Sequence, residues 1–171
     1  YSSAASDVYK RQLYPYENHH YGYASPLFYS DVFLIIPALL HLCGASLAFS
    51  YQLTVGIASF LSAYAMIQLA MHITNKKGIS YIASCAYLFS NYRITDVYVR
   101  GALGEIFAFA FLPYMLLGIY QIIYENKSWL TLTISLTFLA LSHNLTFLMA
   151  SILCAILCII CLLYTSDAAD E

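Results

Sequence analysis

Apolar and polar positions do not alternate finely along this chain; they fall into long apolar runs separated by short polar breaks. Residues 52–74 ("QLTVGIASFLSAYAMIQLAMHIT") and residues 102–124 are both long enough to cross a hydrocarbon core about 30 Å thick, which needs ~20 apolar residues. "TNKKG" separates the first run from a shorter one, residues 79–92, and "ENKSW" follows the second. Residues 129–160 have room for two short helices if the chain turns at "SHN", Ser142 to Asn144. Residues 28–50 are also long enough to cross, yet they carry Asp31, Pro37 and His41. The pattern predicts an all-α, polytopic transmembrane helix bundle, with about five spans in residues 52–160.

Composition agrees: 61% of the 171 residues are hydrophobic, 9% are charged, and the mean hydropathy is +0.71. A soluble domain is roughly a quarter charged, so this is the composition of an integral membrane protein. The two ends read differently. Residues 2–12 ("SSAASDVYKRQ") and 161–171 ("CLLYTSDAADE") read as translations of the two strands of one transposase-type sequencing adapter, and both are set aside from fold reasoning. Lys10 and Arg11 against Asp7, Asp167, Asp170 and Glu171 account for the whole formal charge of −2. The stretch from Leu13 to Ile160 is then neutral, without a basic patch, and nucleic-acid binding has no support. That stretch reads as an internal fragment of a longer protein. Cys43, Cys85, Cys154 and Cys158 lie in apolar segments without metal-type spacing, and neither metal nor cofactor is demanded.

Few basic residues are available to set orientation. If residues 28–50 cross, the Lys76/Lys77 and Lys127 loops share a side with the loop at residues 14–26. Should they instead lie along the interface or re-enter, the three lysines are cytoplasmic. Glu17, His19, His20, Asp31, Asp96, Arg100, Glu105 and His143 then gather on the outer face. The second arrangement is preferred, which makes residues 13–51 an outer loop with a juxtamembrane or re-entrant helix. Asn126 begins a glycosylation triplet, but on this topology it is cytoplasmic.

Charge concentrates in "DVYVRGALGE", residues 96–105. A continuous helix puts Arg93, Asp96 and Arg100 on one face, so that Asp96 pairs with either arginine. The same helix turns Glu105 about 140° away from Arg100, at ~100° per residue. A break at Gly101 or Gly104 brings it back. An ionisable residue just inside an apolar span is costly unless it faces protein or a wet cavity, so Glu105 is a functional candidate, with an interfacial ion-pair stripe as the alternative. Arg100 suits phosphate, whose oxygens its planar fork of donors matches. His143 and Asn144 either bind a headgroup or satisfy helix ends, Asn144 as a cap. Glu17, His19 and His20 make a weak metal group, since adjacent histidines on an extended chain point apart. Their tyrosine-rich surroundings suit a membrane interface or a sugar.

"YGYASPLFYSDVFLIIPALLHLCG", "NYRITDVYVRGALGEIFAFAFLPYMLLGIY" and "LALSHN" together resemble the bacterial polytopic proteins called 6-pyruvoyl-tetrahydropterin synthase-related membrane proteins, neighbours of the YfhO-like proteins. The motifs carrying the resemblance are the Gly-Tyr-x-x-Pro-Leu-Phe-Tyr turn at residues 22–29 and the Arg100/Glu105 pair. That family is similar in plan to GT-C glycosyltransferases, which use polyprenyl-phosphate-linked sugars at the outer face of the membrane. The resemblance implies a partial GT-C-like bundle in the bacterial plasma membrane, with membrane lipid and a polyprenyl-phosphate sugar as partners. On this reading Glu105, Asp31 and Glu17 are the catalytic candidates, Glu105 orienting the phosphate contacts or the acceptor and the other two second in rank. Arg100, Asp96, His143, Asn144, His19 and His20 are the substrate-binding candidates, Arg100 and His143 at the phosphate. The family's usual catalytic base falls upstream of Leu13, so the chain alone is expected to be inactive. The alternatives are a transporter or lipid-handling protein without catalysis, and a structural membrane subunit.

Overall fold

A computed structural model of the chain describes residues 31–125 and 129–167, with side chains for 32–125 and 129–161. Glu17, His19, His20, Asn126, Lys127, the segment 2–12 and the side chain of Asp31 lie outside what is described. A 3-10 turn, Asp31–Leu34, runs into α1 (Ile35–Leu42). There follow α2 (Leu47–Thr74), α3 (Lys77–Leu88), α4 (Asn91–Thr95) and a π-helical turn, Asp96–Arg100. The chain continues as α5 (Leu103–Glu125), α6 (Leu130–Ser142) and α7 (Asn144–Asp167). The fold is an all-α bundle, with no strand among the described residues.

Among the described residues, three helices are long and apolar enough to cross a membrane: α2, α5, and α7 over Asn144–Cys161. At 1.5 Å per residue, the 12 residues of α3 and the 13 of α6 reach only about 20 Å, and the eight of α1 about 12 Å. Within residues 28–50, no described helix before the start of α2 has the length of a span. The "SHN" turn falls at His143, but the helix after it is long, running through Ile160 into the segment set aside at the sequence level.

In α2 the buried positions are Ser50, Thr54, Ala58, Ser62, Ala65, Leu69 and Ala70, a mostly small-residue stripe at near-helical spacing. Small side chains let neighbouring backbones approach closely, the usual means of helix association in a membrane. Their hydroxyls are satisfied locally: Ser50, Thr54 and Ser62 each donate to the carbonyl four residues earlier. From α3, Ser84 donates across to the Ala63 carbonyl at 3.0 Å, stitching the two helices together.

Pro113 sits inside α5, where it has no N–H for the Phe109 carbonyl. Tyr87 of α3 supplies the missing donor, its hydroxyl lying 2.7 Å from that oxygen. Further along α5, Gly118 allows a close approach of α6. A β-carbon there would lie 2.6 Å from the Leu132 amide nitrogen and 2.7 Å from its α-carbon, both backbone atoms of α6. Gly118→Ala should therefore push α5 and α6 apart and cost about 1–3 kcal/mol, the usual range for overpacking. The thermal midpoint of the detergent-solubilised chain should fall while its helical circular dichroism at low temperature is kept; an unchanged midpoint would show that α6 yields without cost.

Two apolar clusters hold the bundle. Ala108, Met115, Ile119, Leu139, Ala150 and Cys154 join α5, α6 and α7. Phe33, Ala58, Leu103, Ile106 and Phe107 tie the 3-10 turn to α2 and the start of α5, with Phe33 and Phe107 stacked at 4.3 Å between ring centroids. The second cluster includes Leu103 and is packed by Val97, both from the 96–105 stretch.

Candidate functional site

The helix entering this stretch changes pitch and then stops. The Gly101 amide donates to the Asp96 carbonyl at 2.8 Å, five residues back, which is the hydrogen bond of a π-turn. Gly101 then takes φ +62°, a left-handed conformation that glycine adopts without a β-carbon penalty. The Tyr51 hydroxyl of α2 donates to the Gly101 carbonyl at 3.2 Å and fixes the break against the bundle. Gly104 is an ordinary residue of α5. An unbroken helix would hold Glu105 away from Arg100; with the break at Gly101 the two form an ion pair at 2.8 Å.

Arg100 stands between two carboxyls. Its Nη1 lies 2.8 Å from Glu105 Oε2 and 3.6 Å from Asp96 Oδ1. The same nitrogen donates to the Tyr92 hydroxyl at 3.2 Å, and that hydroxyl donates to Glu105 Oε1. Glu105 is thus engaged through both oxygens, by a cation on one and a phenol on the other. Tyr92 holds its proton more tightly than an ordinary phenol, chiefly because of the bond to Glu105.

Asp96 is wholly buried, and neither of its oxygens has a hydrogen-bond donor among the described residues, with Arg100 at ion-pair distance. Its pKa is pushed up to about 6, first by burial and then by the neighbouring Glu105, against the opposing pull of Arg100 and Arg93. Of the two arginines expected on its face, Arg100 makes the ion pair. Arg93 turns toward α2, donating to the Ser59 hydroxyl at 3.0 Å with its guanidinium 5.7 Å from the Phe109 ring centre.

His143 ends α6 in an extended conformation and precedes the first residue of α7. Its Nδ1 lies 2.7 Å from the Thr146 hydroxyl and takes the Thr146 amide at 3.4 Å, the bond an N-cap residue makes to the third residue of a helix. The capping role expected of Asn144 belongs to His143, because the chain leaves helical geometry one residue earlier than that expectation placed it. Asn144 is the exposed first residue of α7.

Between α5 and α7 lies a cleft of about 570 Å³. Tyr92, Glu105 and His143 line one end, where α5 and α7 both begin. Away from these, Leu112, Met149 and Leu153 make its walls apolar. Two helix N-termini, each with a partial positive charge, meet at the polar end. Lys76 and Lys77 lie at the opposite end of α2 from Tyr51, whereas Tyr51 meets Gly101 beside the charged cluster.

Of the sequence candidates, Glu105, Arg100 and Asp96 are brought into one cluster, and His143 shares the cleft with Glu105. Asp96 lies beneath Arg100, so its influence on any ligand runs through that residue. Sequence reasoning passed over Tyr92 and Tyr51. With 17 tyrosines in the chain, nothing in the order of residues distinguishes the one that reaches Glu105. Among the described residues no group of three or more His, Cys, Asp or Glu side chains is placed to hold a metal ion. No family model, curated protein or solved structure matches the chain.

Proposed function

We propose that the chain is part of a GT-C-like membrane glycosyltransferase that takes a polyprenyl-phosphate-linked sugar at the outer face of a bacterial plasma membrane. The observation that carries this reading is the division of the α5–α7 cleft into a polar end and an apolar length. A phosphodiester seated near Arg100 and His143 is met by a guanidinium and an imidazole, while the Tyr92 hydroxyl, whose proton goes to Glu105, backs the guanidinium. An isoprenoid tail can then follow Leu112, Met149 and Leu153 between the helices. Positive charge beside the phosphate stabilises it as a leaving group when the sugar is transferred. Before a ligand binds, Glu105, engaged on both oxygens, holds Arg100 and Tyr92 in place.

That engagement also favours a second reading, a lipid-handling protein without catalysis, since neither Glu105 nor the buried Asp96 offers an oxygen to an acceptor hydroxyl. On the first reading the base that deprotonates the acceptor comes from another part of the protein.

Membranes carrying a longer reading frame that includes this chain should transfer labelled sugar from a polyprenyl-phosphate donor, and Glu105→Gln should reduce transfer at least tenfold while insertion into the membrane is kept. Donor binding without transfer supports the lipid-handling reading. Absence of both binding and transfer overturns the two together.

A further inference from the structure

We propose that binding of an oxyanion at Arg100 is coupled to the uptake of one proton by the buried Asp96 carboxyl beside Glu105. The inference rests on the reading of Arg100 as the phosphate contact and adds a linkage to it. Arg100 Nη1 is the cation that holds the two acids together, at 2.8 Å from Glu105 and 3.6 Å from Asp96. An incoming phosphodiester competes for the same guanidinium. As Arg100 turns toward it, two adjacent carboxylates are left facing each other beside a third negative charge.

One added proton resolves the conflict. Protonated Asp96 becomes a donor to the Glu105 carboxylate, turning a repulsion into a hydrogen bond. Asp96 is suited to accept it, being buried with no donor on either oxygen among the described residues. Among the described residues the groups facing it are Arg93 and Arg100 from its own stretch, Glu105 from α5 and Tyr51 from α2. Glu105 lines the cleft and gives a proton from water a way in. The balance is simple: one proton and one anion enter, and no covalent bond changes.

Dihexadecyl phosphate is a suitable probe, because a phosphodiester stays singly charged across the working range. Its affinity for the detergent-solubilised chain should be nearly constant below about pH 6, where Asp96 already holds its proton. Above that, affinity should fall by up to tenfold per pH unit, the limit for one linked proton. Calorimetry in two buffers of different ionisation enthalpy should register uptake of close to one proton per lipid at pH 7.5.

Asp96→Asn should abolish the dependence, whereas His143→Asn, which removes the imidazole at the polar end of the cleft, should keep it. Should Asp96→Asn fail to fold, the proton count on the unaltered chain decides alone. Binding that is equally tight at pH 5.5 and 8 with no proton uptake, or a dependence lost in His143→Asn and kept in Asp96→Asn, overturns the linkage and leaves phosphate binding standing. No binding of the probe at any pH overturns both the linkage and the reading of Arg100.

Discussion

Arg100→Ala is expected to weaken binding of a lipid phosphodiester by tenfold to hundredfold, the range that follows from losing charge-assisted hydrogen bonds. The same change removes the cation between two carboxyls, so it should also lower stability in a pH-dependent way. Asp96 has a folded pKa raised to about 6 from an ordinary 3.8. A raised carboxyl binds its proton more tightly in the folded chain. Its favourable contribution is complete below about pH 4 and is lost as pH rises through 6. Arg100 opposes that rise, and without it the pKa climbs further, so the loss of stability extends to higher pH. The deficit of Arg100→Ala against the unaltered chain should thus be larger at pH 8 than at pH 5. Arg100→Lys should restore much of the stability, since a point charge still separates the acids, but less of the binding, since it lacks the planar fork. Thermal midpoints at the two pH values, with lipid binding at each, check both halves. Equal midpoint deficits at pH 5 and 8 would sink the account of the acid pair.

Much of the fold is legible in the order of residues, and for a physical reason. A span must be apolar along its whole length, so the runs behind α2 and α5 stand out unaided. α3 and α6 are less legible, because short apolar helices carry no length signature and are packed into place by neighbours. The charged cluster announces itself by rarity: Asp96, Arg100 and Glu105 are conspicuous in a chain with 9% charged residues. Their mutual arrangement is not legible, since it depends on a π-turn and a left-handed residue. Extrapolating helical period through residues 96–105 puts Glu105 on the wrong side. Gly101 and Gly104 are equally plausible breaks in one dimension; the Tyr51 hydroxyl that clamps Gly101 comes from a helix fifty residues earlier. His143 and Asn144 present a similar case, where both side chains can cap and only the point at which α6 leaves helical geometry decides. Pro113 declares a missing donor in α5, while the Tyr87 hydroxyl that replaces it is visible only in the packed bundle.

If the break at Gly101 is what builds the site, Gly101→Val should cost as much binding as losing Arg100 itself. Valine is poorly tolerated at φ +62°, and a β-carbon there would meet the Tyr51 hydroxyl oxygen at 3.1 Å. The strain of about 1–2 kcal/mol for a left-handed L-residue is relieved by returning the backbone to right-handed helix. That relief joins the π-turn to α5 and swings Glu105 by the ~100° per residue of a continuous helix. Arg100 then loses its closest partner, and Tyr92 loses its acceptor. Helical circular dichroism should be unchanged or slightly higher, because residues are added to helix rather than removed. In the Gly101→Val background Arg100→Ala should have little further effect, the non-additivity expected when two changes disable one constellation. Gly101→Asn should be milder, since asparagine tolerates the left-handed region better than other residues with a β-carbon. Near-normal binding by Gly101→Val, or an asparagine variant as damaged as the valine one, would mean that the ion pair survives without the left-handed turn and that the turn has another purpose.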